Sequence, residues 1–519
     1  MSDVQQSLNQ VAKGASILLI GTILAKLINY FYWGYLARVL SVSEYGLLNL
    51  GIMIITFVIA VSTLGMEAGL NRYIPYYRGL DDKKSINGII YFSLKVTLAV
   101  SILISLIIYF FSTEIARLFE NSSSMASILM VLSISVPFSV VGVRILLNCL
   151  LYFNYIKEYS FIFNVLQHIT RLLFTIVLIS IGLGIFGSAI AYSLNAIAIG
   201  IISFYMLNFR IKIKKEKFGE KKDYLKYALP LFLVTIIGYM NGWIDTFMVG
   251  YLLDNYNVGI YNASFLISQL LLLFPNMILP LALPIIGPHF ARGEIKSVEI
   301  ITKQIAKWIL AFSFFLLLIL LSFPGTIIRI IFGVKYFPAI PALSILAIGF
   351  FISTLVPLLM VSLSLHKKTK LIFFNSLAAL TTNIILNLIL TPRFGLVGTA
   401  IATGISQVIL LLVVSVENYL LYKINLFSAS IAKITVSLII PMSLLLFSKN
   451  LFGHNIPILS VVVFAALLIY LVSIFKLKVI DESDKEILKM FARRIGINIP
   501  KTMAKQLDKS KKQQNAKDQ

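Results

Sequence analysis

Residues 17–37 read ILLIGTILAKLINYFYWGYLA, an apolar stretch with a lysine, Lys26, near its middle. About 20 such residues are enough for a helix to cross the ~30 Å hydrocarbon core of a membrane. A lysine at the centre of such a helix costs roughly 2.5–3.5 kcal/mol, so it normally faces a bundle interior or a water-filled cavity. Helical spacing places Asn29, Tyr30 and Trp33 on the same side as Lys26. The stretch therefore predicts a membrane helix with one polar, cavity-lining face.

The composition of the whole chain is that of a membrane protein. Of its 519 residues, 59% are hydrophobic and 13% are charged, about half of the ~25% typical of soluble domains. The formal net charge is +23, but the cations lie between apolar stretches, where positive-inside topology explains them better than a nucleic-acid partner. The single cysteine, Cys149, gives no disulfide framework and no thiol metal site. We expect an all-α polytopic membrane protein with no cofactor, no metal and no nucleic-acid partner.

Apolar stretches of membrane-spanning length follow one another along the chain, separated by short connectors. Alternate connectors are basic, and the longest of these is 208–226, NFRIKIKKEKFGEKKDYLK. The positive-inside rule predicts a multi-pass protein of the cell (cytoplasmic) membrane with both termini in the cytoplasm. We expect the basic connectors to contact anionic membrane lipids. The fourteen predicted spans are 16–37, 46–65, 88–111, 125–150, 159–181, 185–207, 227–252, 258–287, 304–323, 338–364, 370–390, 395–421, 431–448 and 457–477.

The second half of the chain repeats features of the first half. The sequence GIFGSAIA at 184–191 recurs as GLVGTAIA at 395–402, and three further pairs match in the same order. Because the repeat unit has six helices, the two copies run parallel through the membrane, and transporters of this kind bind substrate between their lobes near the midplane. The further pairs are Phe163-Asn164 with Phe374-Asn375, Gly34-Tyr35-Leu36 with Gly250-Tyr251-Leu252, and Tyr45-Gly46 to Asn49 with Val258-Gly259 to Asn262.

The repeat and the basic connector together predict the domain organisation. Helices 1–6 form an N-lobe at 1–207, followed by a cytoplasmic basic linker at 208–226. Helices 7–12 form a C-lobe at 227–421, helices 13 and 14 occupy 422–478, and a cytoplasmic basic tail covers 479–519.

Several short motifs carry a family resemblance. They are Lys13-Gly14, Ala37-Arg38-Val39-Leu40, Glu44-Tyr45-Gly46, the segment LGMEAGLNRY at 64–73 and the repeated Gly-x-x-Gly-[Ser/Thr]-Ala-Ile-Ala. In these motifs the chain resembles the multidrug/oligosaccharidyl-lipid/polysaccharide flippase superfamily, and within it the oligosaccharide flippases. The resemblance implies V-shaped, MATE-like lobes and a transporter that moves a polyprenyl-linked oligosaccharide by alternating access for surface polysaccharide or glycoconjugate assembly. It also implies a lipid-tail groove at helices 13 and 14, and polysaccharide polymerase machinery as a partner.

Charged side chains inside the predicted spans are mostly basic and concentrate in the first lobe. At roughly 3 kcal/mol each, four unpaired cations in hydrocarbon would cost on the order of 10 kcal/mol. A water-filled cavity that attracts an anion removes most of this cost. A lipid pyrophosphate headgroup suits such a cavity, since arginine binds it bidentately and lysine acts as a point charge. We therefore predict a cationic substrate-binding cavity formed by Lys26, Lys95, Arg144, Arg171 and His168.

The second lobe holds one intramembrane acid, Asp245, with Asn241 one turn before it. We predict that these two residues bind a coupling proton or Na⁺, with a structural pairing of Asp245 to a cation as the alternative. The cations have structural alternatives too. Lys95 is near enough to the boundary to snorkel part of the way, Arg144 to contact headgroups, and His168 fits as an interior histidine.

Two further pairs of opposite charge, Arg38 with Glu44 and Glu67 with Arg72, lie at predicted helix ends. We expect structural salt bridges or helix-end roles for them.

Other functions remain open at this point. A peptidoglycan-precursor flippase or a drug exporter would share the fold, although a cavity for cationic drugs should carry acids rather than cations. A membrane polysaccharide polymerase or ligase would need an extracytoplasmic catalytic surface. The outer connectors are short and poor in acids and histidine, and we find no catalytic constellation. We therefore expect a transporter and not an enzyme.

Overall fold

The computed structural model describes residues 2–119, 123–423, 429–452, 455–477 and 479, and these residues form helices without β-strands. Nearly all of the predicted tail at 479–519 lies outside the described residues. Helices of the first half are α1 Ser2–Val39, α2 Val42–Ser62, α3 Met66–Gly79, α4 Lys83–Phe110, α5 Ser112–Ala116, α6 Ser123–Ser133, α7 Ser135–Phe138, α8 Asn148–Tyr152, α9 Ile156–Ser160, α10 Gln167–Leu178 and α11 Gly184–Ile211. Segments of π-helix, Ser139–Leu147, Phe161–Leu166 and Ile179–Leu183, interrupt this series.

The second half consists of longer helices and ends with three more beyond the repeat. They are α12 Lys221–Leu252, α13 Asn255–Ser268, α14 Leu273–Ala291, α15 Ile295–Ser322, α16 Pro324–Ile331, α17 Ile340–Ser353, α18 Val356–Leu365, α19 Thr369–Tyr422, α20 Ala429–Ser437, α21 Ile439–Phe452 and α22 Ile456–Lys476. Two 3₁₀ segments, Gln269–Leu272 and Val334–Ala339, join α13 to α14 and α16 to α17.

The described helices include 12 stretches that are long and apolar enough to span a membrane. Two of these stretches, Ile156–Ile211 and Thr369–Tyr422, contain 56 and 54 residues, about twice what one crossing needs. Each is broken at a glycine with non-helical backbone angles, Gly182 in the first and Gly395 in the second. The protein is therefore a multi-span membrane protein, and the count of fourteen spans stays a prediction.

The repeated motif forms the same hairpin turn in both halves. Gly184 has φ 49° and ψ −130°, and its counterpart Gly395 has φ 57° and ψ −137°. These positive φ angles are strained for residues with a side chain. Three residues later, a Cβ on Gly187 would lie 3.1 Å from the Leu178 carbonyl oxygen, and one on Gly398 2.2 Å from that of Leu390. Small residues here allow two antiparallel helices to approach closely, which is the packing role expected of the motif.

The two halves meet tightly where α1 ends and α2 begins, which we name the α1/α2 end. A Cβ on Gly46 would lie 1.9 Å from the carbonyl oxygen of Asn255, and one on Gly259 would lie 2.3 Å from that of Val42. These two glycines are the repeat-related pair noted in the sequence, and they let α2 cross α13 in near contact. The bundle is thus closed at this end.

Cations reinforce the closure by capping helix ends across the interface. Arg38 donates to the Ile330 and Ile331 carbonyls at the end of α16, and Lys335 donates to the Leu40 carbonyl beyond α1. Cations are stabilised at helix C-termini by the unpaired carbonyls there. Arg38 therefore has a helix-end role.

Glu44 also has a helix-end role, at the start of α2. Its carboxylate accepts from the Ser41 backbone N–H at 2.8 Å, while Ser41 Oγ accepts from the Glu44 N–H, which completes a capping box. Of the two expected alternatives for Arg38 and Glu44, the helix-end role is the one observed.

The non-helical part of the connector between the halves is shorter than the predicted linker at 208–226, and it packs against the first half. Helices α11 and α12 extend into 208–226 and leave 212–220 without helix. Phe218 is buried, the Tyr77 hydroxyl donates to Glu220 at 2.6 Å, and the Lys214 backbone N–H donates to Asn87 at 3.1 Å. The lysines at 212, 214, 215 and 217 point outward and are exposed.

We predict that Gly46→Val opens the α1/α2 end, because the valine side chain cannot fit against the Asn255 carbonyl. The measurement is the rate at which an impermeant maleimide labels an Asn49→Cys reporter from that face, in a Cys149→Ala background. Gly79→Val is the matched control, since a Cβ there meets nothing within 4 Å. Unchanged labelling in Gly46→Val would show that the crossing does not close this end.

Candidate functional site

Two adjoining cavities lie between the halves. The lateral cavity has a volume of ≈350 Å³, and the central cavity a volume of ≈400 Å³; Gln269 lines both. Lateral-cavity lining consists of Leu18, Leu19, Thr22, Ile23, Lys26, Tyr30, Gln269, Leu272, Leu273, Asn276 and Met277. Central-cavity lining consists of Asn29, Trp33, Tyr45, Asn49, Ile52, Thr56, Arg171, Tyr192, Gly242, Trp243, Asn262, Phe265, Leu266 and Gln269.

The charge in these linings is all positive. Lys26 lines the lateral cavity and Arg171 the central cavity, and neither set of described lining residues includes Asp or Glu. The polar face predicted for the first helix is divided between them, with Lys26 and Tyr30 on one cavity and Asn29 and Trp33 on the other. The two cavities therefore form an environment that attracts anions.

Arg171 is held in place by α1. Its Nη2 donates to Asn29 Oδ1 at 2.8 Å, and its guanidinium carbon lies 4.2 Å from the centre of the Tyr32 ring. Further along the same pair of helices, Ser160 Oγ donates to the Ile17 carbonyl at 3.3 Å. Ile17 and Ser160 are 143 positions apart in the sequence, and Asn29 and Arg171 are 142 positions apart. Because this separation is nearly constant, the first and fifth predicted helices pack side by side and run parallel.

This seam between α1 and α10 contains a group of buried polar atoms without hydrogen-bond partners among the described residues. They are Gln167 Oε1, His168 Nδ1 and Arg171 Nε. Unpaired buried polar atoms commonly mark a place where water or an ion binds. His168 is partly buried, and its Nδ1 has no hydrogen-bond partner within the described part of the chain.

Three of the five residues predicted to form the cationic cavity line neither cavity. His168 is one turn from Arg171 on α10, and the other two lie elsewhere. Lys95 is exposed on α4 and lines neither cavity. Arg144 lies in the π-helical segment of the first half, with its Nη1 3.8 Å from Glu67 Oε2 and a hydrogen bond to the Tyr239 hydroxyl. It thus links the first half to α12 instead of lining a cavity. Of the two alternatives expected for Glu67 and Arg72, a salt bridge between them is not observed, because Glu67 pairs with Arg144 and the Arg72 guanidinium carbon lies 4.3 Å from the Tyr227 ring centre. Glu67 has the helix-end role, since it lies in the first turn of α3.

Asp245 occupies a buried polar site inside the second half. Its carboxylate is 4% exposed and accepts hydrogen bonds from Thr403 at 2.7 Å, Tyr261 at 2.9 Å, Asn383 at 3.0 Å and Asn387 at 3.3 Å. Among the described residues no Lys, Arg or His forms an ion pair with it. The structural alternative, a pairing with a cation, is therefore not observed there.

Asn241 stands apart from this site. It is exposed, and its Nδ2 donates to the carbonyls of Ile237 at 3.1 Å and Ser376 at 3.3 Å. Tyr261 and Thr403 were not predicted from the sequence, because they approach Asp245 only in the folded protein.

A third cavity of ≈290 Å³ lies between α14, α15 and α22. Its lining is mainly apolar and includes one buried lysine, Lys307, which was not among the residues predicted from the sequence. The Tyr470 hydroxyl of α22 donates to the Ala311 carbonyl of α15 at 2.7 Å. The lining residues are Phe274, Lys307, Trp308, Ala311, Phe312, Phe315, Leu467, Tyr470, Leu471, Ile474 and Val479.

We predict a pH dependence of stability that depends on Glu67. Burial raises the pKa of Glu67 from its ordinary value of 4.5, against the opposing effects of Arg144 and the hydrogen bond from Asn148. Because the folded protein holds this proton more tightly than the unfolded chain, stability falls as the pH rises from about 4.5 through the raised pKa. The melting temperature of wild type minus that of Glu67→Gln should therefore fall over this range. Parallel melting curves for the two proteins would contradict the prediction.

Repeat-related groups of membrane helices around a central cavity are an arrangement typical of secondary transporters. The family described as "Polysaccharide biosynthesis protein" matches residues 11–289, more than half of the chain. The chain belongs to this family.

Known proteins support the same assignment. The chain is 26% identical over 311 residues to the probable low-salt glycan biosynthesis flippase Agl15 of Haloferax volcanii; the match covers 59% of this chain and 65% of Agl15, just under two thirds of that relative. Its structure resembles the lipid II flippase MurJ in an inward closed conformation, with a TM-score of 0.71, 19% identity and coverage of 88% and 97%. An inward-facing multidrug resistance MATE family transporter of the MOP superfamily gives a TM-score of 0.61, 14% identity and coverage of 82% and 99%. The expected MATE-like fold is confirmed.

Proposed function

We propose that the protein is a flippase that moves a polyprenyl-(pyro)phosphate-linked oligosaccharide across the cytoplasmic membrane by alternating access, for surface polysaccharide or glycoconjugate assembly. The observation that carries the proposal is the pair of cavities between the halves, which contain Lys26 and Arg171 and no acid in their described lining. Membership of the polysaccharide biosynthesis family and the flippase name of Agl15 support it. A flippase moves its substrate without converting it, so we propose that the protein is not an enzyme.

The cavities suggest how such a substrate would be held. Arg171, fixed by Asn29 and the Tyr32 ring, presents a positioned guanidinium to a phosphate, and Lys26 adds a point charge. Leucines and isoleucines of the lateral cavity offer an apolar path for the first part of the lipid. The third cavity, to which α22 contributes, would take the distal part of the tail, as the family resemblance implies.

Orientation and partners follow from the same proposal. With both termini in the cytoplasm, the closed α1/α2 end faces outward and the cavities are loaded from the cytoplasmic side. The exposed lysines of the connector at 212–220 then lie against anionic lipids of the inner leaflet. Polysaccharide polymerase machinery would receive the transported oligosaccharide outside.

The flippase proposal is tested in proteoliposomes with a fluorescent polyprenyl-pyrophosphate sugar and an impermeant quencher. We expect Lys26→Ala combined with Arg171→Ala to slow the movement at least about tenfold, because hydrogen bonds to charged groups contribute ~1.5–3 kcal/mol each. Lys95→Ala is the matched control, since this lysine lies outside both cavities, and it should transport at the wild-type rate. Absence of movement in wild type, with and without a proton or Na⁺ gradient, would reject the proposed substrate. Chemical conversion of the lipid-linked sugar would indicate an enzyme.

We propose in addition that Asp245 binds the coupling ion, a proton or Na⁺. A buried carboxylate without a cationic partner needs neutralisation, and the Thr403 and Tyr261 hydroxyls beside it supply oxygens that could coordinate a small cation. We expect Asp245→Asn, which keeps the side-chain volume, to make transport independent of the ion gradient. Asn241→Ala should keep the gradient dependence, since that amide bonds to backbone carbonyls. Gradient-stimulated transport by Asp245→Asn would contradict the assignment.

A further inference from the structure

The lining of the central cavity contains more than a site for phosphate. Trp33 and Trp243 line it, and these are two of the three tryptophans in the chain. Four amide side chains, Asn29, Asn49, Asn262 and Gln269, share the same wall. Sugar rings have apolar C–H faces that pack on aromatic rings, and hydroxyls around the edge that bond to amides.

Two of these amides occupy equivalent positions of the repeat. Asn49 and Asn262 each lie three residues after the glycine at which α2 crosses α13, so both stand directly beneath the closed α1/α2 end. Asn49 Nδ2 donates to the Tyr45 carbonyl at 2.8 Å, and Asn262 Nδ2 donates to the Val258 carbonyl at 3.0 Å. The Asn262 Oδ1 also accepts from the Thr246 hydroxyl at 3.2 Å. An amide has two N–H groups and an oxygen with two lone pairs, so these contacts do not exhaust the bonding capacity of the two amides, both of which line the central cavity.

We propose that the central cavity is a sugar subsite in which Asn49, Asn262, Trp33 and Trp243 recognise the sugar next to the phosphate. The inference rests on the proposed flippase function and specifies its substrate. The sugar is neutral or acidic, because Arg171 is the charged residue among the described lining residues and repels a free amino group. A volume of ≈400 Å³ is small for a ligand pocket, so the subsite reads a short part of the glycan.

Tryptophan fluorescence measures binding at this subsite. A Trp308→Phe parent keeps only Trp33 and Trp243, and is titrated in detergent with polyprenyl phosphate that is bare or carries glucose, glucuronic acid or glucosamine. We expect the glucose and glucuronic acid lipids to bind at least about tenfold more tightly than the glucosamine lipid. Adding Asn49→Ala and Asn262→Ala should weaken binding of the first two about tenfold, as expected for two lost hydrogen bonds, and leave the bare lipid unchanged.

The substitution Asn262→Asp is the second variant, because it keeps the side-chain size and adds a negative charge. It should favour the glucosamine lipid over the glucuronic acid lipid and so reverse the wild-type order. Equal weakening of bare and sugar-bearing lipids by the asparagine variants, or an unchanged order in Asn262→Asp, would overturn the sugar subsite. Absence of binding by every lipid would overturn it as well.

Transport of the same lipids separates the two proposals. If wild type binds the glucose lipid through Asn49 and Asn262 but does not move it, the flippase function is wrong and the sugar subsite stands. If wild type moves the lipids, and the asparagine variants keep the wild-type ratio of the transport rates of sugar-bearing and bare lipids, the flippase function stands and the sugar subsite is wrong.

Discussion

A cation inside a membrane must have water, a counter-charge or an anionic ligand close by, because hydrocarbon solvates none of its charge. This constraint governs the first half of the protein. Arg171 projects from α10 against α1, where Asn29 and the Tyr32 ring hold it. Neither of these residues carries a negative charge. Its charge is therefore positioned but not neutralised by these contacts. The cavity that Arg171 lines supplies the polar environment on which the arrangement depends, and the glycine crossing of α2 and α13 closes that cavity at one end.

In the second half the same constraint applies to a negative charge, that of the buried Asp245. Asn29 and Asp245 each lie five residues before a Gly-Tyr-Leu sequence, and each contacts the helix of its own half that precedes the glycine hairpin, through Arg171 in one case and Asn383 in the other. At this equivalent position the first half has Asn29, a neutral partner of Arg171, and the second half has Asp245, a buried acid. Under the proposed function, such specialisation would separate the attraction of an anionic substrate from the binding of a small cation.

The fold was largely predictable from the sequence, because a membrane requires long apolar helices and short basic connectors, and both are visible in one dimension. The cavity-lining face of the first helix was predictable for the same reason, since Lys26 and its neighbours follow helical spacing. The partner of Arg144 was not predictable, because Glu67 is 77 positions away in the sequence. The π-helical segment around Arg144 also changes the face of the helix on which its side chain lies. Tyr261 and Thr403 were missed because neutral hydroxyls give no signal until Asp245 is placed between them.

Closure at the α1/α2 end also shows what transport would require of this structure. The contacts at Gly46 and Gly259 are made by backbone atoms, which cannot move aside by a change of side-chain rotamer. Opening this end therefore requires the two halves to move apart as rigid bodies. The cations that cap the opposing helix ends, Arg38 and Lys335, are at the edge of this contact, where water can replace a lost carbonyl partner. Arg144 is different, because it connects Glu67 to Tyr239 on α12, at the opposite end of the bundle. The two contacts between the halves therefore differ in kind, because one is a backbone contact at glycines and the other is made by charged and polar side chains.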